Sequence, residues 1–233
     1  MWNFFDKIYC INLTERKDRY ENCLKIFNKY KIPVTFFFAE REKNGDRGCF
    51  HSHVKVCQDA KKNNYKRIII FEDDVIDTDE TSFIKIKYCI NILKKINWNI
   101  FYFGCFPDIR KTTYRTEFTN IYKVKAYGAH AYALNKNYIN KISKLKWKNI
   151  SYDSYLMVDY QYGYIPRLFD QSASKSNIER TVNIINNFAF LKKQILNLND
   201  FYAVNIRINI FIFLFLVFVI LIILIKYKQY YKK

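Results

Sequence analysis

Glu72, Asp73 and Asp74 stand in a row directly after Lys66–Phe71, KRIIIF, a run fully apolar from Ile68 onward. In an extended segment residues two apart point the same way, so Glu72 and Asp74 share a direction and Asp73 points elsewhere. Two carboxylates at a strand end suit a hard cation, Mn²⁺ or Mg²⁺, which completes its shell with water and substrate phosphate and neutralises a diphosphate leaving group. Asp79 and Glu80 close by show that acids are common in this stretch, so an ordinary solvated loop is the plain alternative. A second set is basic: Arg16, Lys17 and Arg19 fall in the first turns of a predicted helix, where they oppose its dipole unless an anion docks there. Chance charge placement is the competing explanation. Three histidines are too few for a His-rich metal site, and His51 and His53, two apart, do not share a helix face, which weakens a zinc reading.

Periodicity supplies the elements that hold these groups. Lys7–Leu13 reads as a strand. Tyr20, Cys23, Leu24, Phe27 and Tyr30 repeat at helical spacing after Thr14. Pro33–Ala39 is a second strand, Phe50, His53, Val54, Cys57 and Ala60 mark a second helix, and the run before Glu72 is a third strand. Strand, helix, strand, helix, strand is the pattern of a parallel sheet with crossover helices, whose ligands bind beyond the carboxyl ends of the strands. Further on, Phe83–Leu93 reads as a helix, Ile100–Gly104 as a strand, Ile121–Ala126 and His130–Leu134 as strand-like pieces, and Asn135–Leu145 as a helix.

The 233 residues allow one full domain plus an appendage, and 50% apolar with 26% charged residues excludes both disorder and a multi-span membrane protein. The net charge of +18 favours anionic partners. No finger, helix-turn-helix or RNA-binding signature accompanies it, so nucleic acid is not among the expected partners. The six cysteines, with no CxxC pair, read as buried reduced thiols. The C-terminus differs in kind. Residues 208–225, INIFIFLFLVFVILIILI, contain Asn209 as their only polar member and would span roughly 27 Å as a helix, enough for a thin membrane. They read as a single C-terminal anchor, with 186–207 a juxtamembrane linker and 226–233 a basic tail. No secretory signal is visible at residues 1–13, so the body is expected in the cytosol.

Seven segments in order resemble glycosyltransferase family 25: INLTERKDR (Ile11–Arg19), GCFHSH (Gly48–His53), IIIFEDDV (Ile68–Val75), NWNIFYFG (Asn97–Gly104), YGAHAYALNK (Tyr127–Lys136), YDSYL (Tyr152–Leu156) and IPRLFDQSASKSNI (Ile165–Ile178). The resemblance implies a glycosyltransferase domain over 1–185, a GT-A-like α/β/α sandwich with a Rossmann-like sheet. Such a domain moves a hexose from a UDP-sugar, with Mn²⁺ or Mg²⁺, to a glycan, lipid-linked or protein hydroxyl, inverting the anomeric carbon. By the same likeness Glu72 and Asp74 hold the metal, with His130 either approaching it or simply a hydrogen-bonded histidine. Asn12, Arg16, Arg19, Ser52, His53, Asp73, Gln171 and Ser176 bind the donor. Inversion needs a general base; Asp153 is the first candidate and Asp159 the second, each with a capping or solvated aspartate as its alternative. Asn177 stands where the family has aspartate, and Asp46-Arg47 where Glu-Ile is common, which leaves a degenerate, membrane-tethered binding module as the rival reading. A phosphoryl-processing enzyme is disfavoured by the lack of a Walker-type loop.

Overall fold

The computed structural model describes residues 1–108, 111–157 and 159–172. In chain order the elements are β1 (Lys7–Leu13), α1 (Lys17–Lys29), β2 (Thr35–Ala39), α2 (Gly45–Lys62), β3 (Arg67–Glu72), β4 (Val75–Asp77), α3 (Phe83–Leu93), β5 (Ile100–Pro107), β6 (Tyr114–Arg115), β7 (Ile121–Val124), β8 (Ala126–Asn135), α4 (Lys136–Ile142), α5 (Tyr152–Leu156), β9 (Gln161–Tyr164) and β10 (Phe169–Gln171).

Eight strands form one mixed sheet in the order β2-β1-β3-β8-β5-β9-β7-β6. Its first third is parallel, as the alternation of strands and helices requires: β1 runs parallel to both β2 and β3. From there β8 lies between β3 and β5 and is opposed to both, and beyond β5 the sheet is mixed, β9 running parallel to β5 and β7 antiparallel to β9. β3 is apolar on both sides because both faces of the sheet are covered. Ile69 and Phe71 pack with Cys23 and Phe27 of α1 and Ile86, Cys89 and Ile90 of α3. Ile68 and Ile70 pack on the other face with Val54, Val56 and Cys57 of α2, Ile139 of α4 and Leu156 of α5. Helices thus flank the sheet on both sides, and the two cores share no residue.

The parallel start brings the carboxyl ends of three strands to one edge. Leu13 is in register with Ala39, and Ile11 with Glu72. A small second sheet, β4 against β10, seats Gln171 opposite Val75 and fixes the turn that follows β3. Five of the six cysteines are buried and all six are free.

Two expectations are corrected. The join expected near Gly128 falls earlier: the first piece is β7, ending at Val124, and the piece read as His130–Leu134 is the end of the ten-residue β8, which starts at Ala126 because β5 pairs along its whole length through two register shifts. The basic start of α1 is not a bare phosphate cradle. Arg16 sits at the N-cap and donates Nε and Nη2 to the two carboxylate oxygens of Asp18, at 2.8 and 2.7 Å. Arg19 reaches the Asp73 carboxylate at 2.6 Å. The anions that balance this helix start belong to the chain itself. Among the described residues no helix is long and apolar enough to cross a membrane; the expected anchor at 208–225 lies outside them.

Candidate active site

The edge where β1, β2 and β3 end is a cleft of about 130 Å³. Its walls are Leu13, the Glu40–Glu42 loop, the first turns of α2 from Gly45 to His53, and Glu72, Asp73 and Asp74, with Arg19 between. α2 begins there because Asn44 caps it, its side chain accepting the Arg47 N–H. Glu42 steadies the loop in front, taking the Arg47 Nε at 2.6 Å and the His51 Nδ1 at 2.7 Å.

The three acidic residues divide their work. Asp73 is a clamp: one oxygen accepts the Arg19 guanidinium at 2.6 Å and the other the Leu13 N–H at 3.2 Å, tying β3 to β1 and α1. Glu72 lies against α2, with Oε1 3.0 Å from His53 Nε2 and 4.0 Å from Cys49 Sγ, while its Oε2 accepts Gln171 Nε2 at 3.3 Å. Asp74 Oδ2 is 3.6 Å from Arg19, and its Oδ1 is buried with no hydrogen-bond partner.

Burial and mutual repulsion raise the carboxyls of this edge. Glu72 is pushed up from 4.5 to about 7, by burial first and then by Asp73. Asp74 is pushed from 3.8 to about 7, by burial and then by Glu72. Asp153 rises to about 6 from burial and the charge of Glu72, partly offset by the Gly128 N–H, which donates to its Oδ2 at 3.2 Å. Groups held near neutrality beside a cleft suit proton transfer or cation binding. An unpartnered buried carboxylate oxygen among raised acids fits a divalent cation, which would restore their ionised forms.

Behind Glu72 runs a chain of ring contacts. His53 Nδ1 lies 2.9 Å from the Tyr132 hydroxyl, which lies 2.8 Å from that of Tyr152. The His53 ring stacks on Tyr152 at 4.1 Å and 7°. Burial lowers His53 to about 3, so it is a neutral imidazole that donates from one nitrogen and accepts at the other.

Of the residues singled out from sequence, Arg19, Ser52, His53, Glu72, Asp73 and Asp74 line the cleft, and Gln171 bonds to Glu72. Asn12 is buried beneath it, its Oδ1 without a partner, and Ser52 donates its hydroxyl to the Gly48 carbonyl. Arg16 stays half-withdrawn in its pairing with Asp18. His130 does not line the cleft: it is fully buried, its Nε2 3.1 Å from the Phe169 carbonyl, its ring beside Phe106. Asp159 is excluded by topology. It accepts the Tyr138 hydroxyl at 3.0 Å on α4, which follows Asn135; Asn135 pairs with Arg67, the opposite end of β3 from Glu72 and about 17 Å away along the strand. Ser176 lies outside the described residues. Sequence reasoning passed over Cys49, Glu42, Tyr132 and Tyr152. The four-residue spacing from Cys49 to His53, which puts both on one helix face, was the available signal.

This is an α/β domain with a large mixed sheet and a carboxylate-lined cleft at the strand ends. The family model described as glycosyltransferase family 25 (LPS biosynthesis protein) matches residues 43–161, and the chain belongs to that family. Solved structures align at low identity. A197 from STIV is 12% identical, with 70% of this chain and 81% of that one covered and a TM-score of 0.42. A glycosyltransferase involved in glycosylation of the major capsid of PBCV-1 gives 12%, 64%, 72% and 0.38. UDP-glucose pyrophosphorylase complexed with UDP-glucose gives 12%, 80%, 81% and 0.42. No curated protein matches the chain.

Proposed function

We infer that the chain transfers a hexose from a UDP-sugar to a hydroxyl of a glycan, lipid-linked or protein acceptor, with inversion, on a GT-A-like domain. The family supports glycosyl transfer. The observation that carries the site assignment is the buried, unpartnered Asp74 Oδ1 beside Glu72 at the carboxyl end of β3. Glu72 and Asp74 would hold Mn²⁺ or Mg²⁺, whose charge offsets the diphosphate that leaves. Arg19, locked by Asp73, adds fixed positive charge at the same edge. Ser52 and the first turns of α2 wall the donor side of the cleft, the bare Gly48 admitting Glu42, which would lie 3.3 Å from a Cβ there. Asp153 takes the acceptor proton: ionised above about pH 6, it is a base near the working pH, and the Gly128 N–H holds its orientation. Residues 208–225 tether the enzyme to a membrane with the body in the cytosol, a reading supported by their apolar character, broken only by Asn209. Incubating the full chain with Mn²⁺ and a panel of UDP-sugars and measuring UDP release tests the assignment. Release from at least one donor, lost in Asp74→Ala, is expected; no release from any donor removes it.

A further inference from the structure

Cys49, His53 and Glu72 bring one thiol, one imidazole and one carboxylate together, their ligand atoms all within 4.8 Å of one another. We propose that these three residues form a zinc-class cation site, which shares Glu72 with the all-oxygen pair assigned to Mn²⁺ or Mg²⁺ but differs from it in donor chemistry. Magnesium and manganese take oxygen ligands, whereas a thiolate with an imidazole selects zinc and its soft neighbours.

The geometry is close to that of the ion. Ligands at zinc bond lengths in a tetrahedron stand about 3.3–3.6 Å apart. Glu72 Oε1 is 3.0 Å from His53 Nε2 and 4.0 Å from Cys49 Sγ, two contacts that bracket that spacing, and the Cys49–His53 pair lies within 4.8 Å. Two ligands come from one rigid face of α2, four residues apart, and the third from the end of β3, so the backbone need not move.

The outer contacts of His53 are those a metal ligand needs. A ligating histidine is oriented by a hydrogen bond at its other nitrogen. Here Nδ1 meets the Tyr132 hydroxyl, which is relayed to Tyr152, and the ring is pinned flat on Tyr152. With Nδ1 donating to Tyr132 and Tyr132 to Tyr152, Nε2 presents its lone pair to the ion. On binding, the proton between Nε2 and Glu72 and the Cys49 thiol proton pass to solvent. Three protein ligands leave the fourth position facing the cleft, where water or a ligand oxygen completes the shell. The site stands whether or not the cleft transfers sugar.

Cobalt is the probe. The full chain, purified in detergent and stripped with chelator, is titrated with Co²⁺ and then Zn²⁺. One equivalent of Co²⁺ is expected to give a near-ultraviolet thiolate-to-cobalt charge-transfer band with tetrahedral visible bands, bleached stoichiometrically by Zn²⁺. Cys49→Ser, which keeps the side-chain shape, should abolish the charge-transfer band and weaken zinc at least about tenfold, as should His53→Gln. Near-ultraviolet circular dichroism verifies folding, and if His53→Gln does not fold, Cys49→Ser decides alone. A wild-type chain without the band, or a band that survives Cys49→Ser, overturns the proposal. UDP-sugar turnover plays no part in this spectrum, so failure of the transferase assignment reads out separately.

Discussion

Replacing Asp74 by Asn should make the protein more stable, and only at the pH where the carboxylate is forced to carry charge. In the fold this carboxyl rises from 3.8 to about 7, from burial and the neighbouring Glu72. That is a factor of about 1,600 in proton affinity, or about 4 kcal/mol at about 1.4 kcal/mol per tenfold. The folded state therefore holds a proton that the unfolded chain releases, so stability falls as pH climbs from about 4 to about 7 and the full penalty is present above that window. Asparagine keeps the shape and never ionises. At pH 8 without metal we expect a gain of about 2 to 4 kcal/mol, roughly 4–16 °C in Tm for a chain of this size. Near pH 4 the gain should vanish, because Asp74 is then protonated in the fold and half-protonated in the unfolded chain. Thermal melts of wild type and variant in chelating buffer, from pH 4 to 8, measure this directly. A variant less stable than wild type at pH 8, or a gain independent of pH, would refute the claim that desolvated like charges line the cleft. A stability cost placed at a binding site is the usual sign of a group kept for function.

Asp153→Asn should lower kcat by about 10²- to 10⁴-fold and remove the acidic limb near pH 6 from the rate profile, while Asp159→Asn stays within about twofold; steady-state kinetics over pH distinguish them. Gly104→Ala should cost about 3 kcal/mol or more by denaturant melt, because a Cβ there collides with the Phe169 carbonyl and the His130 ring. Deleting residues 208–233 should shift the expressed protein from the membrane pellet to the supernatant in a fractionation assay.

The first half of the fold was legible because its signals are strong and local. Ile68–Phe71 is apolar at every position, which only a strand covered on both faces needs, and Cys23 with Phe27 marks the inward side of α1. Past Gly104 the sheet mixes a parallel β5–β9 pair with antiparallel pairings that cross register shifts, which leave no periodic trace in sequence, so β8 read short, as His130–Leu134. The acidic row was legible as a candidate cation site from its residue types and its place after an apolar strand. That Asp73 would be spent on Arg19 and the Leu13 N–H was not, because both partners come from the far side of a crossover. Asp153 and Asp159, six residues apart, both read as candidate bases, Asp153 ahead only because it falls in the YDSYL segment. They separate only because Asp153 meets Gly128 near the start of β8 whereas Asp159 meets Tyr138 just past its end.

The most direct test of the central claim is the affinity for UDP, measured by calorimetry on the full chain with Mn²⁺ and with chelator. Binding at least about tenfold tighter with Mn²⁺, and no such difference in Asp74→Asn, is the predicted result. Equal affinity with and without the metal in the wild-type chain would contradict it.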